Sequence, residues 1–400
     1  MTENSPPNGR AYRCLRIPGC RIPGTGGKRF DISIRDGRFA SVTEVPRAGP
    51  DGSDGDIWIT PGLIDLHVHL GWTDFFPDDQ AKRGEAEVET LRARAIDATL
   101  RGGITTVRDA GGLPPDTARH LRRRYGYPLR IYPCGALFGA EDAHGCSYLE
   151  QRVQNMADTG AGWIKLFATG GIGAPPEKVL NPLFSREEFF TIIRGAHRGN
   201  VQVMVHTWGG PTIDWAIEAG ADSVEHGVYL SREQAGGLAG AKIPLVPTAA
   251  IYRIAADPNG ALVLDETLRA RAARAAQAHP QAIREAKDAG VTIGFGTDFA
   301  APLHGHNLEE IDALIDCGLT VEEAWRAATE TAAAILGRAD TLGRIAAGFT
   351  ADAVLFNADP YKARNTTILR KNILSVIAAA DTAVYVIPRA DNTKPPSSTS

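Results

Sequence analysis

From Ile64 onward the chain alternates short β-rich runs with longer segments rich in Ala, Arg and Glu, and the alternation passes through eight runs. The runs are LIDLHVHL (63–70), GITTVRDA (103–110), LRIYPCGAL (129–137), GWIKLFAT (162–169), VQVMVHTW (201–208), ADSVEHGV (221–228), IPLVPTAA (243–250) and VTIGFGTD (291–298). Eight strands separated by helical stretches are what a (β/α)8 barrel gives. The helical stretches agree: EAEVETLRARAIDATLRGG (85–103) keeps its apolar residues on one face and stops at a glycine pair. TVEEAWRAATETAAAILG (320–337) opens with Thr320 and Glu323 in capping-box spacing and is expected to be one helix. The fold class is therefore α/β, with a TIM-like barrel over residues 60–341.

The two ends of the chain have another texture. Residues 11–59 carry short strand-like pieces with turn signals such as Asp36-Gly37, and residues 342–388 resume that pattern. We expect them to form one small β-sandwich, with residues 1–59 as its N-terminal part and 342–388 as its C-terminal part. Residues 389–400, rich in Pro, Ser and Thr, are expected to be a disordered tail.

Composition removes several function classes. A formal charge of -4 argues against a nucleic-acid surface, and no apolar run reaches the length of a membrane span. Five scattered cysteines without a C-x-x-C pair suggest neither a disulfide framework nor a zinc knuckle. The N-terminus lacks the apolar core of a secretory signal, so a soluble cytoplasmic protein is expected, with a homo-oligomer left open.

The ends of the runs carry the chemistry. His67 and His69 stand at i and i+2 of a strand, so both imidazoles face one side. Alone, such a pair reads more readily as core histidines. However, Lys165, His206, His226 and Asp298 also fall at the C-terminal ends of runs, the face where barrel enzymes keep their active sites. Four imidazoles and a carboxylate suit zinc or a similar borderline divalent ion, and they are too many for one tetrahedral site. Two neighbouring metals need a bridging anion. Lys165 lies in the apolar run WIKLF, where an ammonium is costly and has no lone pair to offer. A lysine carbamate made with CO2 is anionic and has two oxygens; the plainer alternative is a lysine paired with a carboxylate.

These residues and motifs, from TPGLIDLHVHL through IKLFATGG, VMVHT, SVEHGVYL and GFGTDFAAPLHGHN to LGRIAAGFTADAVLFNADP, resemble the metal-dependent amidohydrolase superfamily. Within it the chain is similar to the binuclear Xaa-Pro/Xaa-Arg dipeptidase group, related to imidazolonepropionases and ochratoxin-degrading amidases. The resemblance implies that His67, His69 and Asp298 hold one metal and His206 and His226 the other. Carboxylated Lys165 and a hydroxide would bridge them, with Asp298 as general base and proton carrier to the leaving amine. It also implies substrate contacts: Tyr229 with the carbonyl or oxyanion, and His144 from the loop after the third run. There the Gly-Gly-His-Gly-like pattern of relatives is replaced by Asp142 and Ala143 before the histidine. His304 in LHGHN matches a family loop, with loop packing an equal reading. The glycines of GGIGAP (170–175) lack the following helix and acidic partner of a nucleotide site and read as a loop beside Lys165.

The function implied is hydrolysis of an amide or peptide bond in a small peptide or N-acyl amino acid, as in a dipeptidase, carboxypeptidase or amidase. Two alternatives stay open: opening of a cyclic amide or amidine, and trimming of a modified peptide during natural-product assembly. Deamination is disfavoured because HTWGGPT stands where deaminases carry H-x-x-E. A non-catalytic relative would be expected to have lost metal ligands, whereas all six are present.

Overall fold

The structure, a computed structural model, describes residues 9–46, 56–75, 77–174, 178–363 and 365–389. The expected tail falls, apart from Arg389, outside the described residues, as does Pro175 of GGIGAP. The first strands are β1 (Arg10–Tyr12), β2 (Cys14–Arg21), β3 (Arg29–Arg35), β4 (Arg38–Val45) and β5 (Trp58–Pro61). The parallel strands follow as β6 (Leu63–Val68), β7 (Ile104–Asp109), β8 (Arg130–Tyr132), β9 (Cys134–Phe138), β10 (Trp163–Phe167), β11 (Gln202–Thr207), β12 (Ser223–His226) and β13 (Leu245–Val246). The chain ends with β14 (Ala353–Phe356), β15 (Ile373–Ala380) and β16 (Ala383–Pro388).

The two chain ends meet in one eight-stranded sheet, in the order β1-β16-β15-β14-β5-β2-β3-β4. The sheet curls, so that Ile17, Ile32 and Ile59 from one end share a core with Ala353, Ile377 and Val384 from the other. Neither end has enough apolar surface alone to cover its own face, which ties the sheet to chain return.

The parallel strands form two sheets, β6-β7-β8 and β13-β12-β11-β10-β9. The third run, expected as one strand, divides at Pro133. Proline has no N–H to give the ladder, so β8 pairs with β7 while β9 pairs with β10. On the other side, the eighth run is not a regular strand but hydrogen-bonds to both sheets. Gly294 N donates to Leu245 O at 2.9 Å, Leu66 N to Phe295 O at 2.9 Å and Thr297 N to His67 O at 3.0 Å. Gly296 permits this approach, because a Cβ there would lie 2.8 Å from His67 Cβ.

Two further expectations are corrected. In the seventh run only Leu245–Val246 is strand, and Ala249 and Ala250 open a helix, Ala249–Ala256. The buried Glu310 carboxyl accepts both of their N–H groups, at 2.8 and 2.7 Å, and so caps that helix. The helix expected over 320–337 keeps its Thr320–Glu323 capping box but divides into Val321–Ala327 and Glu330–Ile335. The break frees carbonyls for the sheets: Ala328 O accepts from Ile64 N at 2.8 Å and Ala327 O from Phe295 N at 3.2 Å. The helix Glu85–Arg101 stands as expected, ending at Gly102 and Gly103.

Candidate active site

All six polar residues read from the run ends gather at the C-terminal ends of the parallel strands. His67 and His69 protrude from the end of β6, and each is oriented by an acceptor on Nδ1. The Nδ1–H of His67 donates to Glu225 Oε2 at 2.6 Å, and that of His69 to Gly111 O at 2.9 Å. A carboxylate and a carbonyl only accept, so both protons sit on Nδ1 and both Nε2 lone pairs face the centre. There Asp298 Oδ1 lies 3.3 Å from His67 Nε2 and 3.0 Å from His69 Nε2. The Trp72 indole stacks flat on His69, with ring centroids 3.7 Å apart.

Lys165 is 1% exposed, with Nζ 2.9 Å from His67 Nε2 and 3.4 Å from His69 Nε2. Burial pulls its ammonium below the usual lysine range, against the opposing charges of Asp298 and Glu225. The imidazoles shift likewise: burial and the Lys165 charge take His69 down to about 4 and His206 down to about 3. His226 goes well below its ordinary value through burial and the neighbouring His206. Burial would raise Asp298, but the His67 and His69 imidazoles against its Oδ1 prevail and hold it well below the carboxylate range. At neutral pH the cluster therefore offers neutral imidazoles at His69, His206 and His226 and an ionised carboxylate at Asp298, the states in which these groups bind metals.

Two orphaned atoms sharpen the fit. His206 Nε2 lies 3.3 Å from Gly170 O, and His226 Nδ1 lies 2.7 Å from Thr248 Oγ1. Their other nitrogens, His206 Nδ1 and His226 Nε2, are buried without a hydrogen-bond partner among the described residues. Buried polar atoms left bare in this way mark an unfilled role. His67, His226 and Asp298 each bring a ligand atom within 4.8 Å of the others. The donor set thus fits borderline divalent ions.

Behind the ligands stand residues that the sequence reading did not single out. Arg108, fully buried, donates from Nη2 to Glu225 Oε1 at 2.8 Å and from Nε to Leu66 O at 2.6 Å, with its guanidinium 4.5 Å from the Trp163 ring centroid. Burial works against the Glu225 charge, but Arg108 and His67 hold that carboxyl down to about 2. Asp65 accepts from His67 N, Thr297 N, Thr297 Oγ1 and Asn307 Nδ2, and so links β6 to the Asp298 segment. His279, on the helix Glu266–Asp288, lies with Nε2 2.8 Å from His226 O.

Above the cluster opens a cavity of about 610 Å³, whose wall includes His206, Asp298, Trp72, Trp208 and Tyr252. The expected substrate contacts lie elsewhere in the described structure. Tyr229, 37% exposed, follows β12 and is not among the side chains lining this cavity. His144 is exposed, its ring 5.1 Å from that of Tyr148, and it too lies off the lining. His304 is buried with Nε2 3.2 Å from His69 O, which is the loop-packing role. Tyr252, 1% exposed, is the tyrosine on the cavity wall, and only the helix in the seventh run brings it there.

The amidohydrolase family profile matches residues 58–383, from the last strand before the parallel sheets to β16. The chain belongs to the amidohydrolase family. As the motifs implied, its relatives include an ochratoxinase of Aspergillus niger, 27% identical over 340 residues, covering 76% of this chain and 70% of that enzyme. An uncharacterised protein of Mycobacterium tuberculosis is 29% identical over 378 residues, covering 88% of this chain and 92% of its own length. Among solved structures, a Xaa-Pro dipeptidase with methionine bound in its active site superposes with a TM-score of 0.80 at 24% identity, covering 93% of this chain and all of that one. This amidohydrolase is thus placed among hydrolytic enzymes whose fold is a barrel with a β-sandwich. Among the described residues, no helix is long and apolar enough to cross a membrane.

Proposed function

We propose that this chain is a binuclear metal-dependent hydrolase of the (β/α)8 barrel type that cleaves an amide or peptide bond in a dipeptide or N-acyl amino acid. The observation that carries the proposal is Lys165: a fully buried amine, depressed by its surroundings, within 3.4 Å of two imidazole nitrogens. A buried ammonium is costly there, whereas a neutral amine is a nucleophile. Its lone pair adds to the carbon of CO2, an N–C bond forms as one C=O π pair moves onto oxygen, and one amine proton passes to water. The product is an anion with two oxygens where the cluster has an excess of neutral donors.

In this reading His67, His69 and Asp298 would hold one ion, His206 Nδ1 and His226 Nε2 would hold the other, and carboxylated Lys165 would serve as a ligand to both. Two divalent ions, zinc or a close equivalent, supply Lewis acidity towards the scissile carbonyl and lower the pKa of water. Asp298 is the proton carrier: its side chain, 24% exposed, faces the cavity while His67 and His69 keep it ionised. It takes a proton from the attacking water and delivers it to the departing amine. Trp72 and Trp208 flank the cluster and exclude bulk solvent. Tyr229 and His144 remain proposed substrate contacts from the rim loops, and His304 acts through the backbone of His69.

Elemental analysis is expected to give about two divalent ions per chain. Lys165→Ala should lose metal and activity together, with partial recovery in short carboxylic acids that fit the vacated space. Full activity in Lys165→Ala would end the carbamate reading, and an active enzyme carrying one ion would end the binuclear one. Screening metal-loaded protein against dipeptides, N-acyl amino acids, cyclic amides and modified peptides separates the substrate alternatives.

A further inference from the structure

The cavity above the cluster has a composition of its own. Phe75, Phe167, Ile172, Trp208, Ile251 and Leu268 line it, converging from loops and helices far apart in sequence. Among the described residues, the charged side chains on its lining are Glu141 and Lys178, both exposed, and Asp298 of the cluster. The apolar wall adjoins the ligands directly: the Phe167 ring centroid lies 4.8 Å from Lys165 Nζ and 5.0 Å from that of His206. Trp208 and Tyr252 are each 1% exposed and meet edge to face at 5.3 Å, so this wall is rigid. A volume of about 610 Å³ is large for a proline ring or a methyl side chain and suits an aromatic group with its amide.

We infer that this cavity is a recognition pocket for a large apolar or aromatic group next to the scissile amide, making this chain selective for amides of aromatic and branched aliphatic amino acids over charged ones. The inference rests on the hydrolase reading above and names its substrate class. A charged side chain entering the pocket loses its water and, among the described residues, meets no buried counter-ion on the wall beyond Asp298, which the histidines already engage. An apolar group gains by leaving water and by edge contacts with the aromatic wall.

The test uses ligands that carry no amide, so that binding is read apart from turnover. Metal-loaded protein is titrated by calorimetry with 3-phenylpropionate, 4-methylpentanoate, succinate and 6-aminohexanoate. All four present a carboxylate, and they differ in what enters the pocket. The two apolar acids are expected to bind about tenfold or more tightly than the two charged ones. Leu268→Glu places a carboxylate on the wall in the first turn of the helix Glu266–Asp288, where an acid suits the helix end. It should weaken 3-phenylpropionate by about tenfold and strengthen 6-aminohexanoate, with metal content unchanged. In a parallel assay kcat/KM should favour N-acetyl-phenylalanine and N-acetyl-leucine over N-acetyl-aspartate and N-acetyl-lysine. Equal binding of the four acids by the wild type overturns the pocket, whether or not amides are cleaved. Apolar selectivity in binding without cleavage of any amide would retain the pocket and sink the hydrolase reading instead.

Discussion

Replacing Glu225 with Gln tests the support behind the ligands with one nearly isosteric change. The wild-type carboxylate answers three donors, the Nδ1–H of His67 at 2.6 Å, Arg108 Nη2 at 2.8 Å and the Ser223 hydroxyl. Glutamine has one oxygen and one NH2, and neither orientation serves all three. With the oxygen towards Arg108, the NH2 meets His67 Nδ1. The imidazole must then accept there, which moves its proton to Nε2, the atom that faces the centre. With the oxygen towards His67, two sets of donors face each other and the Arg108 charge stays buried without a counter-ion. Breaking a buried pair from one side costs about 3–5 kcal/mol. Arg108 keeps Leu66 O, Ser223 Oγ and the Trp163 ring, so the lower end, about 3 kcal/mol, is expected. The tautomer change should weaken metal binding by about 10–100-fold, as loss of an outer partner of a ligating histidine does. The assays are thermal unfolding of chelated protein, which reads the Arg108 effect, and metal retention against a competing chelator, which reads the His67 effect. Ser223→Ala, removing two hydrogen bonds of about 1 kcal/mol each and no charge, is the control. Glu225→Gln that melts and retains metal like the control would refute the reasoning.

Three other changes address separate features. Gly112, at φ +96°, has the Trp72 indole where a Cβ would stand. Gly112→Ala should therefore cost about 2–4 kcal/mol in unfolding free energy and change the near-ultraviolet circular dichroism of the displaced tryptophan. His279→Phe keeps a ring against Tyr252 but leaves His226 O without its donor. It should cost about 1–3 kcal/mol and weaken the His206–His226 ion selectively, giving about one retained metal per chain on dilution. Glu310 concerns pH: burial pushes its carboxyl up to about 8 despite the N–H groups of Ala250 and Ala249. The folded state then holds a proton that the unfolded state releases near 4.5, so this contribution to stability falls as pH rises from 4.5 through 8. Relative to Glu310→Gln, wild-type unfolding free energy should drop by about 5 kcal/mol across that window in denaturant titrations, and parallel pH profiles would contradict it.

Local pattern made much of this legible. The alternation of apolar runs and helical segments located the parallel strands, and identical reasoning about polar residues at run ends located the cluster. Lys165 stood out because a charge in an apolar run demands an explanation. The same test applied to GITTVRDA and ADSVEHGV points to Arg108 and Glu225, which are also charges in buried strands. Their signal is weaker, because each stands beside another polar residue of its run, Asp109 or His226. What had no local signal were partners fixed by tertiary competition. The carbonyls of Ala327 and Ala328 serve the N–H groups of Phe295 and Ile64, so a good helical pattern breaks. Ala249 and Ala250 follow Glu310, some sixty residues away, into a helix. The cavity wall draws on residues from Trp72 to Ala300, and no window of sequence contains it.

The backbone supplies a second line of evidence, independent of which atoms face a metal. His226, Thr248 and Asp298 adopt positive φ, at 73°, 55° and 58°. For a residue with a Cβ this costs about 1–2 kcal/mol, and for β-branched Thr248 it is a true outlier. Each is a strand end where the chain must turn outward while the side chain stays over the centre, and a left-handed residue does both. The conformations are over-determined by their neighbours. His279 holds the His226 carbonyl, Thr248 Oγ1 meets His226 Nδ1, and Asp298 N donates to His67 O at 2.6 Å. Helix C-caps and tight turns explain positive φ elsewhere, as at Lys242 after the helix Arg232–Ala241. Thr248, however, stands at the N-cap of Ala249–Ala256, where extended backbone is usual, and among the described residues His226 and Asp298 cap no helix. Strain retained at His226 and Asp298, and at the threonine that orients His226, is strain retained where the ligands must point. Relaxing it, for instance through His279→Phe, should therefore move metal affinity before it moves the fold.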